Sequence, residues 1–255
     1  MKKTFSPNKY KIGKLIPSVA LALSLLLTTT AIAAYKPPTK PSRPSTPTGS
    51  NSTRTNGCTG TAQTTLTALA PLAYVGQTVS VQPTFAWYVP DATSREMEFS
   101  LYEYANGKAK VIYKTQMPSS SGIMSHSLPK EKISLAVGGK YVWQIALLCN
   151  PNHPSEDLVA KAEIEVVAIP SGLANALSQT KDPLKRSQLY AEQGLWYDAL
   201  GETLNNPINK TSRLKLLEQL SKLEAEEINK TPEESRKKEL QQQVLRLQQI
   251  LAVEQ

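Results

Sequence analysis

Pro83-Thr84-Phe85-Ala86-Trp87-Tyr88-Val89-Pro90 is an aromatic and apolar run closed by a proline at each end. A run this short, rich in β-formers and bounded by breakers, predicts a buried strand whose neighbours supply the rest of a core. A partner run, Tyr141-Val142-Trp143-Gln144-Ile145-Ala146-Leu147-Leu148-Cys149, follows about fifty residues later. Between and around these two the signals are those of further strands. Glu96-Met97-Glu98-Phe99-Ser100-Leu101 alternates strictly, placing Met97, Phe99 and Leu101 on one face. Asn106-Gly107 follows, a pair that tolerates positive φ at both turn positions, and then Val111-Ile112-Tyr113, so a hairpin is expected. Ile123–Leu128 and Leu158–Ile169 read as two more strands. Roughly seven short strands in about 110 residues are what an immunoglobulin- or fibronectin-like sandwich requires. Leu135-x-x-Gly138-x-x-Tyr141-x-Trp143 adds a local mark, since a tyrosine opening the sixth strand of such a fold bonds back to the preceding turn.

The character changes after Pro170. Asp182-Pro183 reads as N-cap and first helical position, and Gly194 stands where that helix stops. Leu195–Leu204 gives a second helix, and Tyr190 to Leu200 resembles the helix-turn-helix junction of a single tetratricopeptide-like unit. Thr211 or Ser212 opens a third helix carrying Leu214, Leu217, Leu220 and Ile228. Thr231-Pro232-Glu233-Glu234 reads as a capping box for a last helix, along which Leu240, Val244, Leu247 and Leu251 form a coiled-coil-like seam. The third helix can pair with this seam in an antiparallel hairpin. The remaining leucines of the two helices, Leu216, Leu223 and Leu245, must then cover the earlier helical hairpin or meet another chain, and weak self-association or docking to an envelope partner is expected. The fold class is therefore an all-β sandwich followed by a small all-α region. Its expected divisions are 1–33 signal peptide, 34–57 disordered linker, 58–170 β-sandwich, 171–207 helical hairpin and 208–255 coiled-coil-like tail.

The N-terminus carries Lys2, Lys3, Lys9, Lys11 and Lys14, then the apolar Leu15–Leu27, then Ala31-Ile32-Ala33 as a small-x-small cleavage pattern. Pro17 interrupts the apolar segment, and a bilayer span needs about 20 residues, so export with cleavage after Ala33 is expected and no transmembrane segment in the mature chain. The formal charge of +8 owes five of its positive charges to those lysines, leaving 24 basic against 21 acidic residues. That balance, with no basic stripe interleaved with aromatics, argues against a nucleic-acid partner. Residues 34–57 are rich in Pro, Ser and Thr and read as a solvated spacer. In an oxidising compartment Cys58 and Cys149 are most simply a structural disulfide, worth roughly 4–5 kcal/mol in the chain-entropy model.

Leu66-Thr67-Ala68-Leu69-Ala70-Pro71, the Pro83–Pro90 run, Gly138 to Cys149 and Gly194-Leu195-Trp196-Tyr197-Asp198-Ala199-Leu200 together resemble, in this order, a family of exported cyanobacterial proteins known as domain of unknown function 928. The resemblance covers roughly Cys58 to Leu204 and implies an envelope or secreted protein. It brings no activity and no catalytic residue.

Candidate chemistry is sparse. His126 lies in a strand between Ser125 and Ser127, and His153 lies in a loop before Glu156 and Asp157. Neither shows a nucleophile elbow or metal-ligand spacing. Asp182 and Asp198 read as helix-cap and helix-surface carboxylates. Trp87, Trp143, Phe85 and Phe99 read as core, whereas Trp196 and Tyr197 are placed at the seam between sandwich and helices or, failing that, on a binding surface. The expected function is a non-enzymatic binding or structural module of the cell envelope, in the periplasm or at the cell surface, without cofactor or metal and with an envelope protein or polysaccharide as partner. The alternative is a hydrolase of envelope polymers using His126 or His153.

Overall fold

A computed structural model describes residues 1–4, 34–45, 49–51, 65–90, 93–105, 108–150, 152 and 154–255. The chain divides into Met1–Ala31 and Ile32–Gln255, and every element below lies in the second unit. Residues 5–33 of the expected signal peptide, Cys58, the Asn106-Gly107 turn and His153 lie outside the described residues.

Two β-sheets precede a set of helices. The larger, sheet A, contains β1 (Gly49–Asn51), β3 (Gly76–Thr78), β5 (Glu96–Ala105), β6 (Lys108–Pro118), β8 (Lys140–Leu147) and β9 (Leu158–Val166). Its order is β1-β9-β8-β5-β6, and β3 joins β9 in parallel beyond β1. Sheet B is β2 (Thr67–Ala68), β4 (Thr84–Val89) and β7 (Gly122–Ser127), in the order β2-β4-β7. The expected hairpin is β5–β6, closed by the pair Ala105 and Lys108. Met97, Phe99 and Leu101 are fully buried, as their alternation requires. The tyrosine mark also holds: the Tyr141 hydroxyl accepts the Ala136 N–H at 3.0 Å.

The sheets share one core. Phe85 of β4 packs against Phe99 of β5 and Trp143 of β8, with ring centroids 5.0 and 5.3 Å apart. Phe85, Trp87 and Val89 therefore face sheet A, and Ala86 and Tyr88 face away from it. Yet Ala86 is 1% exposed and Tyr88 4%. A strand buried on both faces reads as a continuous apolar run, which is how Phe85–Val89 reads.

Helices cover that second face. They are α1 (Leu173–Ser178), α2 (Pro183–Glu192), α3 (Trp196–Leu204), α4 (Lys210–Ile228) and α5 (Glu234–Glu254). Asp182 caps α2 as its sequence predicts, accepting the Leu184 N–H at 3.0 Å. The short α1 had no counterpart in the sequence reading. Gln243 of α5 donates to the Ala68 carbonyl at 3.3 Å, Gly201 of α3 lies against Thr84, and Glu254 lies over Gly122 at the start of β7. Leu216, Leu217, Leu220, Leu247 and Ile250 belong to the same hydrophobic cluster as Tyr88. Residues 208–255 are thus a third layer, not a tail, because the seam expected to seek a partner helix also finds a sheet. Of the three leucines expected to reach outward, Leu216 is 2% exposed and Leu223 partly buried, and only Leu245, at 58%, faces solvent.

Two further expectations are corrected. Thr231 does not cap α5: its hydroxyl donates to the Glu227 carbonyl at 2.9 Å, closing α4, and α5 begins at Glu234 without a side-chain cap. The tight α4–α5 connection buries Thr231 beside α4's open carbonyls, which claim its proton. Residues 34–45 are not a free spacer. Tyr35 is buried, Lys36 N–H donates to Ala191 O at 3.0 Å, and Ser42 O accepts from Val75 N–H at 2.9 Å. One aromatic anchor and a few backbone bonds suffice to lay an extended proline-rich arm along the fold. Among the described residues no helix is long and apolar enough to cross a membrane.

Candidate functional site

The seam between sheets and helices is built by four consecutive residues, Leu195-Trp196-Tyr197-Asp198. Gly194, at φ +77°, turns the chain from α2 into α3, and a Cβ there would meet the Lys36 carbonyl at 3.0 Å. Trp196 is fully buried, donates its indole N–H to Leu69 O at 2.9 Å and meets the edge of Tyr35, centroids 5.1 Å apart. Tyr197 enters the space between the two sheets. Its hydroxyl accepts the Trp143 indole N–H at 2.8 Å and donates to Glu163 O at 3.0 Å. Only glycine fits at position 76, because a Cβ there would lie 2.8 Å from the Tyr197 ring. Burial drives the Tyr197 phenol far above its ordinary range. Both aromatics therefore form the seam. As a binding surface they are withdrawn, since neither is accessible.

Asp198, read from sequence as a helix-surface carboxylate, is half-buried under the loop after β3. It accepts the Val79 N–H at 3.0 Å and is hydrogen-bonded by the Thr78 side chain. Burial outweighs these bonds and raises its pKa from 3.8 to about 6. Beside it opens a cleft of about 280 Å³ between that loop and the α2–α3 pair. Ser80, Gln82 and Thr84 form one wall, and Arg186, Glu202 and Asn205 the other. The second wall is rigid: Arg186 Nε donates to Glu202 Oε1 at 2.6 Å, and one of its terminal nitrogens donates to the Tyr190 hydroxyl at 3.2 Å. Its guanidinium also sits 5.7 Å from the Tyr190 ring centroid. Glu202 raises the Arg186 pKa further, which keeps the guanidinium charged. The cleft thus offers hydroxyls, amides, an ion pair and a carboxyl whose pKa burial raises to about 6. Such an array can donate and accept hydrogen bonds to polar groups.

A second carboxylate, this one fully buried, holds the other helix pair. Glu224 of α4 is fully buried and accepts Leu72 N–H at 2.6 Å and Ala73 N–H at 3.0 Å, while Arg236 of α5 donates to Leu72 O. Burial raises the Glu224 pKa from 4.5 to about 7. Tyr35 N–H reaches the same helix through Gln219 Oε1, at 2.8 Å. Neither Asp198 nor Glu224 stood out in the sequence. The one local signal was an acid directly following the paired aromatics Trp196-Tyr197.

His126 lies apart from both. Its ring stacks on Tyr113, centroids 5.7 Å apart, with Nε2 3.2 Å from the tyrosine hydroxyl, and it packs against Phe99. Burial lowers its pKa. Ser125 and Ser127 project from the opposite face of β7, so the strand does not bring them to the imidazole. Cys149 is partly buried, with its N–H donating to Asp157 at 2.9 Å, and among the described residues no cysteine is free. No group of three or more His, Cys, Asp and Glu side chains converges among the described residues.

The family model for the Domain of Unknown Function (DUF928) matches residues 49–235. This chain belongs to the DUF928 family. The match runs from β1 to the start of α5, so it takes in both sheets, the cleft and the carboxylates Asp198 and Glu224. No curated protein matches the chain. Among solved structures it is similar to a lytic polysaccharide monooxygenase important for efficient utilization of chitin in Cellvibrio japonicus, at 9% identity and a TM-score of 0.25. That likeness covers 36% of this chain and spans 55% of the other protein, about half its length. At that score it carries no argument for the DUF928 fold or function.

Proposed function

We propose that this DUF928 protein is an exported, non-enzymatic binding module of the cell envelope, which holds a hydroxyl-rich ligand such as a polysaccharide end in the cleft between Gln82 and Glu202. The observation that carries the reading is the makeup of the cleft. Its walls are hydroxyls, amides and an ion pair already fixed by its own neighbours, an arrangement suited to matching sugar hydroxyls. At about 280 Å³ it falls just below the usual range of small-molecule sites, roughly 300–1,000 Å³, a size for one end of a chain and not for a whole ligand. Export rests on the Lys-rich start, the apolar Leu15–Leu27 and Ala31-Ile32-Ala33. A Cys58–Cys149 disulfide fits that compartment.

The scaffold we infer is immunoglobulin-like. Lettered in chain order, β2, β4 and β7 take the places of A, B and E, and β5, β6, β8 and β9 those of C, C′, F and G. Trp143 stands two residues after Tyr141, where antibody domains place the second cysteine. Its contact with Phe85 at 5.3 Å takes the place of the disulfide there between strands B and F.

Retention on immobilised envelope polysaccharide tests the binding reading. The native chain is expected to be retained, and Glu202→Gln with Asn205→Ala to lose at least tenfold while keeping its circular dichroism. Equal retention of native and variant chains, or none by either, would overturn the assignment of the cleft.

A further inference from the structure

The structure assigns the solvent face of α5 as a self-complementary interface, and we propose that its partner is a second copy of this chain, docked antiparallel about a two-fold axis at Leu245. The helix carries two seams. Leu240, Val244, Leu247 and Ile250 are buried against the rest of the fold. On the opposite side Lys238, Gln241, Leu245, Gln248 and Ala252 are exposed and recur at alternating spacings of three and four, the spacing of a coiled-coil seam. Gln242 and Gln249 flank that line, also exposed.

Three features point to a second copy rather than to an unrelated chain. The face reads the same in both directions from Leu245, with a pair of glutamines three and four residues before it and another pair three and four residues after it. Reversal about Leu245 therefore sets Gln241 against Gln249 of the second copy, Gln242 against Gln248, and Leu245 against its own equivalent. Glutamine amides both donate and accept, so each such pair is satisfied whichever way the amide points. An isologous interface demands this match of a patch with its own reverse. The face is also free of like-charge conflict: from Leu240 to Val253 the only charged side chain is Arg246, which is 9% exposed and donates to Gln242 at 3.4 Å. Reversal sets Lys238 opposite Ala252, so the one lysine on the line does not meet its equivalent. Finally, Leu245 is 58% exposed on a helix whose other leucines are buried or partly buried, and the two-fold covers it. One helix stripe is far smaller than the roughly 800 Å² per partner of a standard interface, so the dimer is a weak one.

Sedimentation equilibrium of the chain from Ala34 to Gln255 tests the dimer, and cysteine cross-linking tests its register. The chain is expected to be monomeric at about 5 µM and substantially dimeric at roughly 0.5 mM, and Leu245→Glu to raise the dissociation constant at least tenfold. At the higher concentration Leu245→Cys should cross-link with itself. Gln241→Cys should do so poorly alone and well when mixed with Gln249→Cys. A monomer at the higher concentration overturns the proposal. A dimer indifferent to Leu245→Glu, or a Gln241→Cys chain that cross-links best with itself, overturns the interface.

Discussion

Strand β6 of sheet A is largely open to water, and strand β4 of sheet B keeps almost nothing exposed on either face. On β6 the burial pattern runs exposed through Lys108 to Val111 and then alternates, while on β4 every residue from Phe85 to Val89 is buried. Both strands are antiparallel, and each face of a strand is exposed or covered by whatever lies above it. What separates them is the helical layer, which covers β2 and β4 and leaves β6, at the edge of sheet A, open to solvent. The difference teaches that the C-terminal helices are not an addition to a finished β domain. Without them Ala86 and Tyr88 would be exposed, and sheet B, only three strands wide, would lose the cover on the second face of β4.

The contrast is broken most severely at Trp196. Trp196→Ala removes the side chain that joins α3 to Leu69 and Tyr35, and is expected to destabilise by about 3–5 kcal/mol, read as a shift in the urea midpoint. An unchanged midpoint would separate helices from sheets. Next come the two carboxyls that tie the helices to the segment between β2 and β4. The folded-state values, about 6 for Asp198 and about 7 for Glu224, lie above the ordinary 3.8 and 4.5. The folded state therefore binds more protons between these limits. The stabilisation is complete below the unfolded values and is lost as pH rises through the folded ones, by roughly 3 kcal/mol at most for each carboxyl. His126, lowered by burial, works in the opposite direction in part of the same window. Melting temperature is expected to fall from pH 5 to pH 8, and Glu224→Gln to flatten the slope. A profile that rises over this range would contradict the burial of both groups. The smallest effect belongs to the open face of sheet A. Lys114→Ala breaks a 2.8 Å pair with Glu98 whose lysine is 54% exposed, and should change stability by less than about 0.5 kcal/mol.

Much of this was legible. The alternation at Met97, Phe99 and Leu101 set the register of β5, Tyr141 announced its strand by its spacing from Gly138, and Asp182-Pro183 and Gly194 marked the limits of α2. Trp196 was readable as a seam because an indole beside a helix-ending glycine has too much apolar surface to leave in water. The third layer was half legible: five buried residues in a row at Phe85–Val89 say that both faces are covered, and do not say by what. Asp198 and Glu224 were not legible. A carboxylate becomes buried when distant backbone N–H groups, here Val79, Leu72 and Ala73, converge on it, and no local pattern encodes that meeting. Tyr35 was hidden in the same way, inside a segment whose prolines describe a spacer.

Differential scanning calorimetry of the chain from Ala34 to Gln255 tests most directly whether sheets and helices are one structure. The account predicts a single endotherm whose calorimetric enthalpy equals the van't Hoff enthalpy. Two resolved transitions, or a calorimetric enthalpy well above the van't Hoff value, would mean that the helices melt away from an independently stable pair of sheets, and would contradict it.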